Sequence, residues 1–113
     1  MTSIDFHVNI PSKLDYCCRL LRKAMQSGST IAVVGEEAMM SRLDVQLWTF
    51  SRHDFLAHGW ANRMSESQRM ATPIWLCNSP KQGQGRRVLV NLGPHALTDF
   101  DSFERLIELV GED

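Results

Sequence analysis

The sequence predicts a single α/β domain with three layers, in which helices cover both faces of a largely parallel sheet of five strands. Short apolar segments alternate along the chain with longer segments of helical periodicity. This alternation is typical of strand–helix–strand units with right-handed crossovers. The chain has 113 residues, of which 43% are apolar, and this suits one domain with a single core.

The first strand and the first helix have clear local signals. Residues 3–10 alternate apolar and polar side chains, with Ile4, Phe6, Val8 and Ile10 on one face. Pro11 ends this strand, and Ser12 predicts a helix N-cap with Asp15 three residues later, an acidic variant of the capping box. Apolar residues then recur at helical spacing as far as Gln26, and Gly28 is a natural C-terminal stop.

The next two elements are a buried strand and a second helix. Residues 30–34 form a short β-branched run, and Gly35 turns it into a helix over residues 36–50. The buried stripe of that helix consists of Met40, Leu43, Leu47 and Phe50. At about 100° per residue, Trp48 lies more than a quarter-turn from the centre of the stripe. Trp48 must therefore be covered by another part of the fold or by a partner.

The second half of the chain predicts three strands and a final helix. Residues 55–60 predict a short strand, and the polar residues 61–72 predict an irregular surface loop. Residues 73–79 and 86–93 predict two more strands, and the short, turn-rich linker between them favours a hairpin, which would make the sheet mixed. The last helix is predicted to begin at Thr98 and Asp101, with its apolar residues at i, i+3, i+4 and i+7: Phe103, Leu106, Ile107 and Val110.

Composition excludes several functional classes. The chain has 12 Lys+Arg against 13 Asp+Glu, so it lacks the basic excess on which general nucleic-acid binding depends. It has no apolar stretch near 18 residues and no charged-then-apolar leader, so neither a membrane span nor a signal peptide is expected. Three cysteines, two of them adjacent, suit neither a disulfide framework nor a zinc site. These features predict a protein of the reducing cytoplasm.

The turns of the predicted sheet do not match a phosphate-binding motif. The turn at Gly35 contains one glycine followed by Glu36 and Glu37, and it matches neither GxGxxG nor GxxxxGK[ST]. Two carboxylates at a helix N-terminus would repel a nucleotide. The glycine pair before Arg86 and Arg87 is interpreted as a hairpin tip with solubilising charges.

Residue types with catalytic or metal-binding chemistry also fail to form a pattern. Cys77 ends a predicted strand, but position 83, where a phosphatase-type loop would need an arginine, is Gly83. No cation precedes Cys77 on a helix N-terminus, so nothing in the sequence would lower the pKa of its thiol. Cys77 is therefore interpreted as a buried structural cysteine. The four histidines have no zinc-binding spacing and are interpreted as surface or hydrogen-bonded core residues. No catalytic residue, metal or cofactor is predicted.

The surroundings of Trp48 remain open to two interpretations. Ser41, Val45, Trp48 and Arg52 form a second ridge on the predicted helix, of mixed character. A loop or terminal segment folding over the helix would cover this ridge. Alternatively it is a protein-binding patch, because aromatic and arginine residues are enriched at interface hot spots and several of them occur here close together: Trp48, Phe50, Arg52, Phe55 and Trp60.

These segments together resemble the chi subunit of bacterial DNA polymerase III. The resemblance covers nearly the whole chain, from FHVNIPSKLDYCCRLLRKAMQSG through RLDVQLWTF, HDFLAHG, TPIWLCNSP and RRVLVNLG to FERLIELV. Its most specific parts are the pattern Arg-Leu-Asp-x-x-Leu-Trp, which ends at Trp48, and the phenylalanine that follows it, Phe55.

The resemblance implies a non-catalytic accessory protein with a Rossmann-like fold that has no nucleotide site. It implies two partners: a psi-type subunit that links it to the clamp loader, and the acidic C-terminal tail of single-stranded-DNA-binding protein. DNA would then be contacted only indirectly. Trp48 matches the family tryptophan near the tail-binding surface, and Phe55 matches an apolar position associated with psi. Surface geometry adds four further candidates: Arg42, Val45, Arg52 and Leu56.

The end of the chain departs from the family pattern. Chi chains usually continue for about one more helix beyond the position of Asp113, and that basic segment supplies much of the charge that binds the tail. Residues 1–113 are therefore expected to form one chi-like domain without this helix. Either the sequence is a shortened form, or its tail binding is weaker or built differently. The alternative function is a small α/β enzyme or nucleotide-binding domain with a degenerate site near Gly35. A third is a structural domain that oligomerises through the Trp48 or Trp60 surface.

Overall fold

A computed structural model describes residues 2–50 and 56–112, which form an α/β domain with one parallel sheet. In chain order the elements are β1 (Ser3–Ile10), α1 (Lys13–Gln26), β2 (Ile31–Val34), α2 (Glu37–Thr49), β3 (His58–Trp60), α3 (Glu66–Ala71), β4 (Ile74–Cys77), a 3₁₀ helix (Pro80–Gly83), β5 (Val88–Asn91) and β6 (Arg105–Gly111). The predicted α/β class is confirmed, with six strands in place of five.

The sheet has the order β1-β6-β5-β2-β4-β3, and every neighbouring pair is parallel. The predicted hairpin between residues 73–79 and 86–93 is therefore wrong, because β4 and β5 lie on opposite sides of β2. Their linker crosses the sheet as a 3₁₀ helix, and a Cβ added to Gly83 would lie 2.4 Å from the Ala32 Cβ. A linker packed this closely on β2 cannot be an exposed hairpin tip.

The two long helices pack on one face of the sheet. In α1 the buried residues are Leu14, Cys17, Cys18 and Leu21, as predicted from their spacing. The Ser12 side chain accepts a hydrogen bond from the Asp15 backbone N–H at 3.4 Å, which confirms the predicted N-cap. Gly28 follows the helix with φ +83°, a left-handed conformation that glycine adopts without strain. The helix α2 buries Met40, Leu43 and Leu47 against the same face.

The opposite face of the sheet carries a smaller apolar cluster. It consists of Ala32, Val34, Ala61, Cys77, Leu89, Phe103 and Leu106. The segments over it are shorter than α1 and α2, and α3 is the longest described helix among them, with six residues. The predicted loop over residues 61–72 is wrong for this part, because Ser65 and Gln68 form a capping box that starts α3.

The predicted C-terminal helix is wrong. Residues 105–111 instead form β6, which lies between β1 and β5 and is hydrogen-bonded to both. Leu106 and Ile107 are both buried because their side chains point to opposite faces of a sheet that is covered on both sides. A strand in this position loses the alternation of apolar and polar residues, and its apolar residues then match a helical spacing by coincidence.

Candidate partner-binding surface

Trp48 and Val45 form an exposed apolar ridge on α2. The Trp48 residue is 57% exposed and Val45 is 65% exposed, whereas Leu43 and Leu47 on the neighbouring face are buried. Residues three apart lie on the same side of a helix, so the two exposed side chains are neighbours. Thus the described fold leaves more than half of the Trp48 residue accessible.

A buried histidine supports the inner side of the Trp48 ring. The ring centroids of Trp48 and His58 are 4.7 Å apart, and the His58 side chain is 0% exposed. The His58 Nε2 lies 2.9 Å from the Asp44 Oδ1, and its Nδ1 lies 2.6 Å from the Leu56 carbonyl oxygen. Asp44 and His58 thereby join α2 to β3 beneath the exposed tryptophan.

A groove continues the ridge on its other side, where α2 approaches α1. It has a volume of about 570 Å³ and is lined by Leu14, Ser41, Arg42, Val45, Gln46 and Thr49. The Gln46 amide donates to the Asp15 carboxylate across the two helices. The exposed Arg42 also lines a second groove of about 310 Å³ together with Lys13, so two cations lie next to the apolar surface.

The structure separates the residues that the sequence predicted for partner binding. Arg42, Val45 and Trp48 lie together on the exposed side of α2. Leu56 is only 1% exposed and packs in the core, so its prediction as a surface contact is corrected. Leu56 belongs to the core cluster that residues of α1, α2 and the sheet form, and the helical geometry used for the surface argument could not show this. The predictions for Arg52 and Phe55 fall outside the described residues.

A separate cavity lies where a doubly wound sheet binds ligands. It has a volume of about 430 Å³, borders the ends of β2 and β5, and is lined in part by Gly35, Glu36, Glu37 and His95. Asn91 lies on its floor with its amide satisfied, since Nδ2 donates to the His95 carbonyl oxygen and to the Glu108 carboxylate. The cavity therefore has carboxylates at its rim and lacks the cationic side chains that a phosphate would need.

Comparison with known proteins shows the family. The whole chain, residues 1–113, matches the family described as DNA polymerase III chi subunit, HolC. The chain belongs to the DNA polymerase III chi subunit family. It is 34% identical over 119 residues to the DNA polymerase III subunit chi of Pseudomonas aeruginosa, an alignment that covers 100% of this chain and 80% of the relative. The predicted resemblance is confirmed, and with it the class of a replication accessory subunit.

Within this chi-family chain, the Arg-Leu-Asp-x-x-Leu-Trp motif contains residues of three kinds. Leu43 and Leu47 build the core, and Asp44 holds His58. Arg42 and Trp48 remain on the surface. The sequence analysis missed the role of Asp44 and His58, because the two are 14 positions apart and neither lies in a known ligand spacing. It had interpreted the histidines as surface or hydrogen-bonded core residues, and His58 is of the second kind.

The cysteines and the possible metal ligands were the remaining chemical candidates in the chi-family chain. All three cysteines are free and buried, as predicted for Cys77. Burial raises the pKa of the Cys77 thiol to about 12, so the nucleophilic thiolate is disfavoured. Among residues 2–50 and 56–112, no group of three or more His, Cys, Asp or Glu side chains is arranged to hold a metal ion. In the same residues no helix is long and apolar enough to cross a membrane.

Proposed function

We propose that the chain is a non-catalytic adaptor of the replisome with two protein partners. One is a psi-type subunit, which would connect the chain to the clamp loader. The other is the acidic C-terminal tail of single-stranded-DNA-binding protein, so DNA would be reached only through a partner. The observation that carries the proposal is the exposed pair Val45 and Trp48 beside a groove that Arg42 also lines.

The chemistry of this surface suits an acidic peptide that ends in an aromatic residue. An apolar groove takes a ring, and a guanidinium binds a carboxylate through short, charge-assisted hydrogen bonds. Arg42 and Val45 both line the groove between α1 and α2, so a ring and a terminal carboxylate could bind side by side there. Lys13 lies in the adjoining groove and would face the acidic residues upstream. The balanced net charge of the chain is compatible with this role, because the positive side chains are needed only locally.

We place the psi-type partner at the segment that contains Arg52 and Phe55. This part of the proposal depends on the match of Phe55 to an apolar family position. Leu56 supports it indirectly, because its buried side chain and its carbonyl contact with His58 anchor the chain immediately after Phe55.

The first experiment is a titration with a fluorescein-labelled acidic peptide that ends in phenylalanine, read by anisotropy. We expect micromolar affinity that weakens at high salt. Trp48→Ala removes an exposed hot-spot residue worth about 2 kcal/mol, so affinity should fall roughly 30-fold. Arg42→Ala should lower affinity about 10-fold and reduce the salt dependence, since a charge-assisted bond is worth about 1.5 kcal/mol or more.

Two controls make the titration specific. Met70→Ala removes another exposed apolar side chain, 81% exposed on α3, and should leave the affinity unchanged. A peptide with an amidated C-terminus should bind wild type and Arg42→Ala equally weakly if Arg42 binds the carboxylate. The tail-binding proposal is rejected if the wild-type protein binds the peptide no better than the Trp48→Ala variant does.

The cavity beyond β2 and β5 is the one observation that favours the alternative function, a degenerate nucleotide or small-molecule site near Gly35. A thermal-shift screen against nucleotides tests it, because a ligand at 100 times its dissociation constant adds about 2.7 kcal/mol of stability. We expect no shift, since Glu36 and Glu37 would repel the phosphates. A shift abolished by a bulky replacement of Gly35, which lines the cavity, would establish the alternative.

A further inference from the structure

Two grooves meet on the surface where α1 and α2 approach each other. The groove of about 570 Å³ beside Val45, here called the ring groove, shares Leu14 and Arg42 with the groove of about 310 Å³ that Lys13 lines, here called the Lys13 groove. Arg42 therefore lies where the two grooves join. A peptide with its terminal carboxylate on Arg42 and its ring in the ring groove has two ways to continue upstream.

The first way crosses the Lys13 groove, over the N-terminal ends of both long helices. Ser12, the N-cap of α1, lines this groove, and so does Met39 in the first turn of α2. Helix N-termini carry a partial positive charge, which favours carboxylates. The groove also contains the cations Lys13 and Arg42 and one carboxylate, that of the exposed Glu112. Its balance of charge is therefore positive and suits acidic residues.

The second way follows the ring groove to its other end, where α1 provides a different cation. The exposed Arg19 lies one helical turn beyond Asp15, on the same side of α1. Thr49 lies at this end of the ring groove, in the last turn of α2, which contains no basic residue. The partial negative charge of a helix C-terminus disfavours carboxylates. Arg19 is thus a cation that an acidic peptide can reach only past unfavourable charges.

The nearest of these charges is the carboxylate of Asp15. The amide of Gln46, which lines the ring groove, donates a hydrogen bond to it. Asp15 is exposed, so without this bond its carboxylate would turn freely in solvent. Because Gln46 is neutral, the bond positions the negative charge at the edge of the groove without cancelling it. An acidic residue that passed Gln46 toward Arg19 would meet a like charge.

We propose that the pair of Asp15 and Gln46 sets the direction in which an acidic peptide binds, so that its acidic residues cross the Lys13 groove and do not run toward Arg19. This inference rests on the proposed function, because it concerns the same groove and the same class of peptide. The pair determines specificity by repulsion, which is a common way to reject an alternative binding mode. The ligand that fits is an aromatic C-terminal residue on Arg42, preceded by acidic residues that lie over the start of α1.

Paramagnetic relaxation enhancement measures the direction on the unaltered protein. The probe is an acidic peptide that ends in phenylalanine and carries a nitroxide at its N-terminus. In amide spectra of the wild type, the broadening should be strongest at Gly111, which lines the Lys13 groove, and should fall along α1 toward Lys23. In Asp15→Asn this gradient should flatten, because the repulsion that disfavours the second way has been removed.

Removal of single cations gives an independent test by anisotropy titration. Lys13→Ala should weaken binding of the acidic peptide about threefold, the effect of one exposed charge pair. Arg19→Ala removes an equal charge from the same helix and is the matched control. It should leave the affinity of the wild type unchanged, yet cost about threefold in the Asp15→Asn background. A peptide with asparagine in place of each acidic residue should bind all of these variants equally.

Failure of the direction differs visibly from failure of the proposed function. If no peptide binds the wild type, both proposals fall. If the peptide binds but the broadening is strongest at Lys23, or Arg19→Ala costs the wild type as much as Lys13→Ala does, the direction is overturned and the proposed function stands. If Asp15→Asn changes neither the gradient nor the effect of Arg19→Ala, the role given to Asp15 is wrong.

Discussion

The buried guanidinium of Arg86 gives the sharpest test of how this fold is held together. Arg86 is only 9% exposed. It donates to the carbonyl oxygens of Thr72 and Pro73 at 3.1 Å each, and to that of Arg69 at 3.2 Å. Its guanidinium carbon lies 3.7 Å from the centroid of the Trp75 ring. One side chain thus ties the start of β5 to the end of α3 and to the start of β4.

The expected cost of Arg86→Ala follows from these contacts. Three hydrogen bonds from a charged donor contribute about 1.5 kcal/mol each, and the cation–π contact about 1 kcal/mol. Burial of the charge opposes them, as seen in the lowered pKa of Arg86, whose main cause is desolvation. The carbonyl oxygens do not become unpaired, because Trp75 Nε1 also donates to those of Arg69 and Thr72, and the Ile31 N–H donates to that of Pro73. We therefore expect a net loss of about 3 kcal/mol, within the range of large single-residue effects.

Urea unfolding followed by far-ultraviolet circular dichroism measures this loss without relying on Trp75 fluorescence. With a slope of about 1.5 kcal/mol/M, the midpoint should fall by about 2 M. Arg87→Ala is the matched control, since the ion pair of Arg87 with Glu104 is exposed and worth less than about 1 kcal/mol. Arg86→Lys should lie between the two, because an ammonium cannot span the three acceptors in one plane. Equal stability of Arg86→Ala and Arg87→Ala would refute this account.

Three further predictions concern the core and the support of Trp48. Gly83→Ala should cost about 1–3 kcal/mol, because its Cβ would lie 2.4 Å from the Ala32 Cβ. Gly59→Ala should cost less than about 1 kcal/mol in the same urea assay, because it meets only the flexible end of Met64. His58→Phe should lower the free energy of unfolding by about 2 kcal/mol and shift the fluorescence emission of Trp48, since it removes the hydrogen bonds to Leu56 and Asp44 beneath that ring. An unchanged urea midpoint would contradict the proposal that His58 supports Trp48. Iodoacetamide should label the buried cysteines only after unfolding. Burial raises the pKa of Cys18 to about 11 and that of Cys77 to about 12 from 9.0. Because the unfolded chain then loses these protons at a lower pH than the folded protein does, the free energy of unfolding should fall as the pH rises above 9. Rapid alkylation of the native protein at pH 8.5 would show that burial does not protect the thiols.

Local signals in the sequence predicted most of the individual elements. The helix α1 has an N-cap, a continuous apolar stripe and a glycine stop, and all three are present in the structure. The strands β2, β4 and β5 are short apolar runs bounded by turn residues, and each was placed within a few positions of its observed range. These elements were predictable because their signals lie within a few residues of one another.

The pairing of the strands depends on contacts that no local signal contains. The linker between β4 and β5 has the length and glycine content of a hairpin, yet Gly83 packs against Ala32 on a strand roughly 50 positions away in sequence. Once that contact is made, β5 lies on the far side of β2, and the chain must return as β6 between β5 and β1. Both errors concern strands that pair with partners distant in sequence, β5 with β2 and β6 with β1.

The exposed residues of the candidate site could be predicted from the sequence, whereas the buried residues around them could not. The angle between Trp48 and the buried stripe of α2 was enough to show that the tryptophan needed a cover or a partner, and the structure leaves it 57% exposed. Residue type was a poorer guide to burial. Arg86 was interpreted as a solubilising residue but is buried, and Leu56 was interpreted as a surface contact but lies in the core. Both errors arise where a side chain contacts partners distant in sequence. Arg86 binds the carbonyl oxygens of Arg69, Thr72 and Pro73, and Leu56 packs in the core between the sheet and the two long helices. Exposure of an apolar residue is therefore the more direct indicator of a binding surface where a groove and a cation lie beside it, as they do at the ridge of Val45 and Trp48 on α2.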